Sequence, residues 1–302
     1  MILIGLAVAC VAWPLAAFLW LSSRDAALAV SIFGLGLSLG PCLAAYGYAR
    51  RARKQTMRRL VLLTGGLSIM AMSLLGAMSL DLEAFFMLVL SGTAGAAVGH
   101  TMVTVIVGPV LFGRMLCGWG CWRGMILELL PIGRGRGRLG GKWRLLPFAG
   151  LAVSIGAAVS LLAIGHHPGG VPPNLHGESI LPIIVGFAVY YVASIGLAFP
   201  LKDQRAFCKY LCPSSVILRR TSRLSLAKLA ANADLCNGCG ACSRVCPMDI
   251  DVVEYATRGR RITSGECILC QRCAHTCPTD ALRLSLGLDV GGATTFVSAR
   301  SE

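Results

Sequence analysis

The chain has 302 residues, 55% of them hydrophobic, and a mean hydropathy of +0.70. So apolar a balance excludes an ordinary water-soluble domain, and at roughly 100–200 residues per domain the length leaves room for a membrane part and one further domain. The net charge of +14 does not point to nucleic acid, because the basic residues sit in short blocks between apolar segments, the pattern that sets membrane topology.

A helix crossing a hydrocarbon core about 30 Å thick needs around 20 apolar residues. Six runs meet that length, near 2–22, 26–49, 60–80, 84–112, 145–165 and 180–199. The first is apolar from its second residue, without a basic segment before it or a small-residue cleavage site, and reads as an uncleaved helix. The short link Ser22-Ser23-Arg24-Asp25 makes the first two runs an antiparallel hairpin. Cys10 and Cys42, isolated within these runs, read as small apolar filler. The link after the second run carries Arg50, Arg51, Arg53, Lys54, Arg58 and Arg59. The link after the fourth carries Arg114, Arg123, Arg134, Arg136, Arg138, Lys142 and Arg144. The opposite loops hold only Arg24 with Asp25, Asp81 with Glu83, and Glu178 beside His166, His167 and His176. The positive-inside rule then predicts a multi-pass protein of the bacterial inner membrane with both termini cytoplasmic.

Within the fourth run, Gly92, Gly95 and Gly99 read as small residues for close helix packing. His100 reads either as a hydrogen-bonding partner of a quinone or as a packing histidine, since an ionisable group at membrane depth is costly. The Gly/Arg stretch 133–141 reads as a flexible, topology-setting loop against anionic lipid rather than an RNA-binding segment. The outer-loop histidines read as a solvated loop.

Fourteen cysteines could suggest disulfides, but their spacing is that of metal ligands. Two C-x3-C pairs, Cys117/Cys121 and Cys208/Cys212, follow the fourth and sixth runs. If helical, each pair shares one face, and at one membrane surface the four thiols could converge on a single site. A third site, iron–sulfur or a single metal ion, is the favoured reading; a redox-active dithiol and inert buried cysteines are the alternatives. Further on, CNGCGACSRVCP from Cys236 and CILCQRCAHTCP from Cys267 are both C-x2-C-x2-C-x3-C-P. At this spacing three cysteines hold one [4Fe–4S] cluster and the fourth reaches the other. The expected ligands are Cys236, Cys239, Cys242 and Cys277 for one cluster, and Cys267, Cys270, Cys273 and Cys246 for the second. Structural zinc takes only four ligands and gives no reason for two four-cysteine runs each ending in Cys-Pro. Between the runs, Val252–Tyr255 and Arg261–Thr263 are expected to form a small hairpin. No C-x-x-C-H occurs, so covalent haem is not expected. Near the end, Asp289-Val290-Gly291-Gly292-Ala293-Thr294-Thr295 faintly resembles a flavin-attachment sequence one residue short, with a flexible tail as the plainer reading.

The order of these features carries a resemblance. Phe112-Gly113-Arg114 before Cys117-Gly118-Trp119-Gly120-Cys121, then Cys208-Lys209-Tyr210-Leu211-Cys212-Pro213-Ser214, then two ferredoxin runs, resembles the NapH/MauN family and the wider group that includes the membrane parts of NosR and CcoG. The likeness covers roughly residues 58–285. It implies electron transfer between the quinone pool and a partner, in support of a periplasmic reductase or of metalloenzyme maturation. The chain departs from the family at Trp122, where proline usually follows the second cysteine, so the helix break expected of proline is lost there. The first two runs lie outside the usual four-span core.

The expected fold is an all-α polytopic membrane bundle of six transmembrane helices followed by a small α+β, bacterial 2[4Fe–4S] ferredoxin-like domain. Its expected parts are two additional spans (1–57), a four-helix core with the C-x3-C pairs (58–225), the ferredoxin-like domain (226–285) and a tail (286–302). The expected function is that of a membrane-bound electron-transfer subunit linking the quinone pool or a cytoplasmic donor to a partner redox enzyme. The alternative is a metal-handling or maturation protein that uses the C-x3-C thiols.

Overall fold

The computed structural model describes residues 45–75, 82–92, 101–133, 135, 137–164, 181–290 and 293–297. The run expected at 2–22 and most of that at 26–49 lie outside the described residues, as do Cys10, Cys42, Gly95, Gly99, His100, Arg134, Arg136, His166, His167 and His176. The described residues are mostly helical. They divide into two compact units, one within Met1–His100, Trp119–Leu130 and Ile155–Gly196, the other within Thr101–Gly118, Pro131–Ser154 and Leu197–Glu302.

In the first unit the run expected at 60–80 forms a helix over Lys54–Leu75. It begins ahead of the apolar residues because Lys54, Gln55, Arg58 and Arg59 are themselves good helix formers. Gly66 lets the short helix Trp122–Leu127 lie directly on it: a Cβ at Gly66 would stand 2.6 Å from Met125 Sδ and 3.1 Å from Trp122 Cα. The contact is locked by Arg58, fully buried, whose guanidinium donates to Glu128 Oε2 at 2.5 Å. Around Trp122 gather Ile183 and Phe187, with Ile69, Met70, Leu74, Tyr190 and Tyr191 packed against them. The Phe187, Tyr191 and Tyr190 rings meet the indole edge-to-face at 4.6, 5.3 and 5.8 Å, the arrangement ring quadrupoles favour.

The run expected at 84–112 is not one helix. A helix over Leu82–Leu90 ends in a turn at Ser91 and Gly92, where Gly92 takes φ +70°, a conformation a side chain resists. Gly92 is therefore a stop signal and not a packing residue. The runs at 145–165 and 180–199 form helices over Leu146–Ala163 and Leu181–Leu201. Among the described residues, the two stretches long and apolar enough to cross a membrane are Trp143–Ala163 and Ile183–Leu201. Both leave large apolar side chains outside, Val153 at 71% and Val192 at 72% exposure.

In the second unit, Thr101 leads through a wide π turn at Val103–Val107 into the helix Gly108–Phe112. Pro109, buried at its start, lacks an N–H and would collide with the carbonyl four residues back, which is what loosens the ladder there. The helix closes on Gly113 with φ +59°. Short helices over Ala206–Tyr210 and Ser214–Thr221 precede the ferredoxin-like part. There β1 (Ala227–Ala231) pairs antiparallel with β2 (Leu282–Val290), Leu229 facing Leu284, and β2 pairs antiparallel with β3 (Ala293–Val297), Gly287 facing Phe296. Of the Asp289–Thr295 segment, Asp289 pairs with Thr294 and Val290 with Ala293 across β2 and β3. The Asp289 carboxylate accepts from Lys228 and, at 2.9 Å, from Arg261, which gives it a structural task.

The hairpin expected at Val252–Tyr255 is instead a helix over Val252–Thr257. Ser243 Oγ accepts from the Val253 N–H at 2.8 Å and donates to Asp251 Oδ1 at 2.9 Å. Glu254 in the first turn pairs with Arg258 one turn on at 2.9 Å. Capping and charge pairing outweigh the strand preference of the β-branched pair Val252-Val253.

Candidate metal centre

The two cysteine runs are built alike, each residue of the first having its counterpart 31 positions on: 236 to 267, 239 to 270, 242 to 273, 246 to 277. The backbone repeats at the same offset. Gly238 and Leu269 (φ +70° and +51°), Gly240 and Gln271 (+69° and +58°), and Asp249 and Asp280 (both +52°) all adopt left-handed conformations. These turns wrap the chain so that the third cysteine of each run opens a short helix, Ala241–Arg244 or Arg272–Thr276. The glycines of the first run meet this demand at no steric cost, whereas Leu269 and Gln271 meet it against their Cβ atoms.

The result is two recesses. One is lined by Cys236, Cys239 and Cys242 of the first run together with Cys277 of the second. The other is lined by Cys267, Cys270 and Cys273 with Cys246. The remaining walls are largely apolar, among them Leu229, Met248, Ile250, Val252, Ile262 and Ile268 in the second recess. Four thiols about an apolar recess are the donor set an iron–sulfur cube requires, so the residues present fit the group. In the first recess Cys239 is exposed, Cys236 and Cys277 are half-buried and Cys242 is buried; in the second Cys267 is half-buried and Cys246, Cys270 and Cys273 are buried.

Burial decides the electrostatics of these thiols. It pushes Cys267 up to about 12 despite a hydrogen bond from the Leu269 backbone, and raises Cys273, Cys246 and Cys242 as well, with neighbouring thiols adding to the effect. At Cys277 burial is outweighed by hydrogen bonds from the Thr279 hydroxyl and the Ala281 and Thr279 backbone, and the thiol lies below its ordinary range. Thiols this reluctant to ionise become thiolates only against a strong countercharge, so metal loading must release protons.

The C-x3-C pairs are not helical i, i+4 pairs. Cys117 lies in the helix Met115–Trp119, but Gly120 breaks it and Cys121 is extended (φ −69°, ψ 122°) ahead of the helix Trp122–Leu127. A break is therefore present without proline, supplied by the glycine, and Trp122 serves as an aromatic anchor in the first unit. Cys208 is in the helix Ala206–Tyr210 and Cys212 follows it, its N–H bonded to the Phe207 carbonyl at 2.9 Å.

In the second unit Cys117, Cys208 and Cys212 all act electrostatically on one guanidinium, that of Arg114, which is 1% exposed. Burial works to lower its pKa, yet Cys117, the Glu266 carboxylate, Cys212 and Cys208 together raise it. Arg205, equally buried, donates to the Cys117 carbonyl at 3.2 Å and approaches Cys208 Sγ at 3.8 Å. Cys121 belongs to the first unit. Among the described residues no three His, Cys, Asp or Glu sit as ligands of a single metal ion.

Sequence reasoning missed the charged residues that bind this centre together. Glu266, next to Cys267, accepts a hydrogen bond from Arg114 (2.8 Å) and forms ion pairs with Arg138 (2.9 Å) and Arg219 (2.6 Å). Burial lowers the pKa of Arg219, Glu266 opposes that, and Arg138 and Arg114 add to the lowering. Lys209, between the cysteines of the second pair, is fully buried and bridges Asp203 (2.6 Å) and Asp249 (2.5 Å). The one available signal was three charges, Asp203, Arg205 and Lys209, crowded about Cys208.

Comparison with known proteins agrees with this geometry. A family described as a 4Fe-4S dicluster domain matches residues 228–281, and one described as a 4Fe-4S binding domain matches 95–140 and 185–228, the segments bearing the C-x3-C pairs. The protein MJ0749 of Methanocaldococcus jannaschii is 30% identical over 193 residues, 61% of this chain and 71% of that one. YccM of Escherichia coli K12, named for a provisional role in electron transport, is 28% identical over 204 residues, 61% of this chain and 54% of its own. The methylamine utilization ferredoxin-type protein MauN of Paracoccus denitrificans is 39% identical over 69 residues, 22% of this chain and 24% of that protein. No solved structure matches the chain. The chain belongs to the NapH/MauN-type family of ferredoxin-type iron–sulfur proteins of electron transport.

Proposed function

We propose that the chain is a membrane-bound electron-transfer subunit carrying two [4Fe–4S] clusters, one on Cys236, Cys239, Cys242 and Cys277 and one on Cys267, Cys270, Cys273 and Cys246. It links the quinone pool or a cytoplasmic donor to a partner redox enzyme. The observation that carries the reading is the exchange of fourth cysteines: each recess takes three thiols from one run and one from the other. When bound, such clusters supply one-electron transfer. The chain's own residues hold them, line the second recess with the apolar side chains of Met248, Ile262 and Ile268, and leave Cys239 of the first exposed. Within the second unit, Cys117, Cys208 and Cys212 offer thiol donors that suit a further soft metal group, iron–sulfur or a single ion, and Arg114 and Arg205 supply positive charge beside them.

Membrane embedding is supported by Trp143–Ala163 and Ile183–Leu201, whose exposed valines suit lipid and not water. The basic block Arg50, Arg51 and Arg53, exposed in the structure, supports a cytoplasmic position for that loop, and by the positive-inside rule we assign both termini and the ferredoxin-like part to the same side.

The test is anaerobic purification of the full chain, analysis of iron and sulfide, and EPR after addition of a low-potential donor or of a quinol. The expected result is iron and sulfide in near-equal amounts and two cluster signals that respond to at least one donor. Zinc in place of iron, or signals indifferent to both donors, refutes the proposal.

A further inference from the structure

We infer that Arg114 and Glu266 are the electrostatic link between the C-x3-C thiols and the site of the second cysteine run, so that the charge on either site sets the reduction potential of the other. The inference rests on the proposed function and adds to it which two sites are coupled and through which side chains. Four observations carry it. Arg114 Nη1 donates to Glu266 Oε2 at 2.8 Å, across 152 residues of sequence, and Glu266 immediately precedes Cys267. Cys117, Cys208 and Cys212 all act on the same guanidinium, which also acts on Cys267. Gly118 fixes the two segments together, since a Cβ there would stand 2.3 Å from the Ile268 carbonyl oxygen. Finally, Arg114 Nε is buried without a hydrogen-bond partner, so that edge of the guanidinium has only nearby charge to stabilise it.

Charge counting gives the direction. Arg114, Arg138 and Arg219 meet the single carboxylate of Glu266, leaving two positive charges over at a largely buried locus. Buried cations persist only against anions, and the cysteines on either side become thiolates when they ligate a metal group. Reduction of either site by one electron from a donor adds one negative charge beside this locus. The surplus positive charge favours that electron, and an electron already at one site offsets the favour for the other.

The experiment uses the full chain in nanodiscs, with an EPR-monitored redox titration under dithionite; the second-run signal is assigned as the one lost in Cys246→Ser. Arg114→Gln is expected to lower the second-run potential, Glu266→Gln to raise it, and Arg114→Lys to recover part of the loss, while the first-run potential stays in place. A second-run potential unmoved by either neutral substitution, or both ferredoxin potentials moving equally, overturns the inference. Should Arg114→Gln not accumulate as folded protein, Arg138→Gln, at the partly exposed rim, must show a smaller downward shift, and no shift there is equally fatal. A wild-type chain without titrating signals would instead defeat the proposed function, which keeps the two failures distinct.

Discussion

Gly118 and Ile268 touch backbone to backbone: the alpha carbon of the first lies so near the carbonyl of the second that an added methyl would sit 2.3 Å from the oxygen. Only glycine permits that approach, and neither partner is a flexible side chain able to give way. Gly118→Ala is expected to cost about 1–3 kcal/mol, as overpacking does, and to loosen the loop bearing Cys267 and Cys270. Gly156→Ala, where nothing lies within 4 Å, should stay within about 0.5 kcal/mol of wild type. Unfolding in graded denaturant checks both.

The exchanged fourth thiols make a prediction that run-by-run ligation does not. Cys277→Ser should abolish the signal of the cluster otherwise held by the first run, and Cys246→Ser that of the second, each with loss of about half the ferredoxin-bound iron. EPR on the two variants reads this directly. If each serine silences the cluster of its own run, the proposed ligation is wrong.

Lys209 holds Asp203 and Asp249 with all three side chains at most 4% exposed. Removing the cation strands two buried carboxylates, so Lys209→Met should destabilise the second unit by about 3–5 kcal/mol. The triple change Lys209→Met, Asp203→Asn, Asp249→Asn should recover much of that, since no bare charge remains. Because Asp249 sits three residues after Cys246, the single variant should also lose visible absorbance from the second-run cluster; normal colour and stability would show the triad to be dispensable.

Gln271 occupies, at φ +58°, the place that Gly240 fills in the first run. Gln271→Gly removes a left-handed side-chain penalty of about 1–2 kcal/mol and adds backbone freedom to the unfolded chain. A net gain of up to about 1 kcal/mol is expected by thermal melting of the loaded protein, against a loss for the reverse change, Gly240→Gln.

Much of this was legible in the sequence where the signal is local. The cysteine spacing anticipated which thiols share a recess, and apolar length anticipated the helices Leu146–Ala163 and Leu181–Leu201. The helix Val252–Thr257 was expected as part of a hairpin, although Asp251 and Glu254, an acid at each of those positions, are a helix-start pattern. The breaks within the C-x3-C pairs were hidden by treating even spacing as helical phase, when Gly120 was the informative residue. Glu266 was beyond reach: its arginines lie 47, 128 and 152 positions away (266 less 219, 138 and 114), and no periodicity announces a contact made by tertiary packing.

The unequal exposure of the two sets of cysteines governs how the protein meets air. Dissolved oxygen meets Cys239 at the surface, whereas Cys246, Cys270 and Cys273 are buried beside Met248, Ile262 and Ile268. Oxidative bleaching should then run in two stages, a fast one belonging to Cys236, Cys239, Cys242 and Cys277 and a slow one to the rest. Aerobically handled samples would come to rest as a half-loaded species whose surviving chromophore is the inner one.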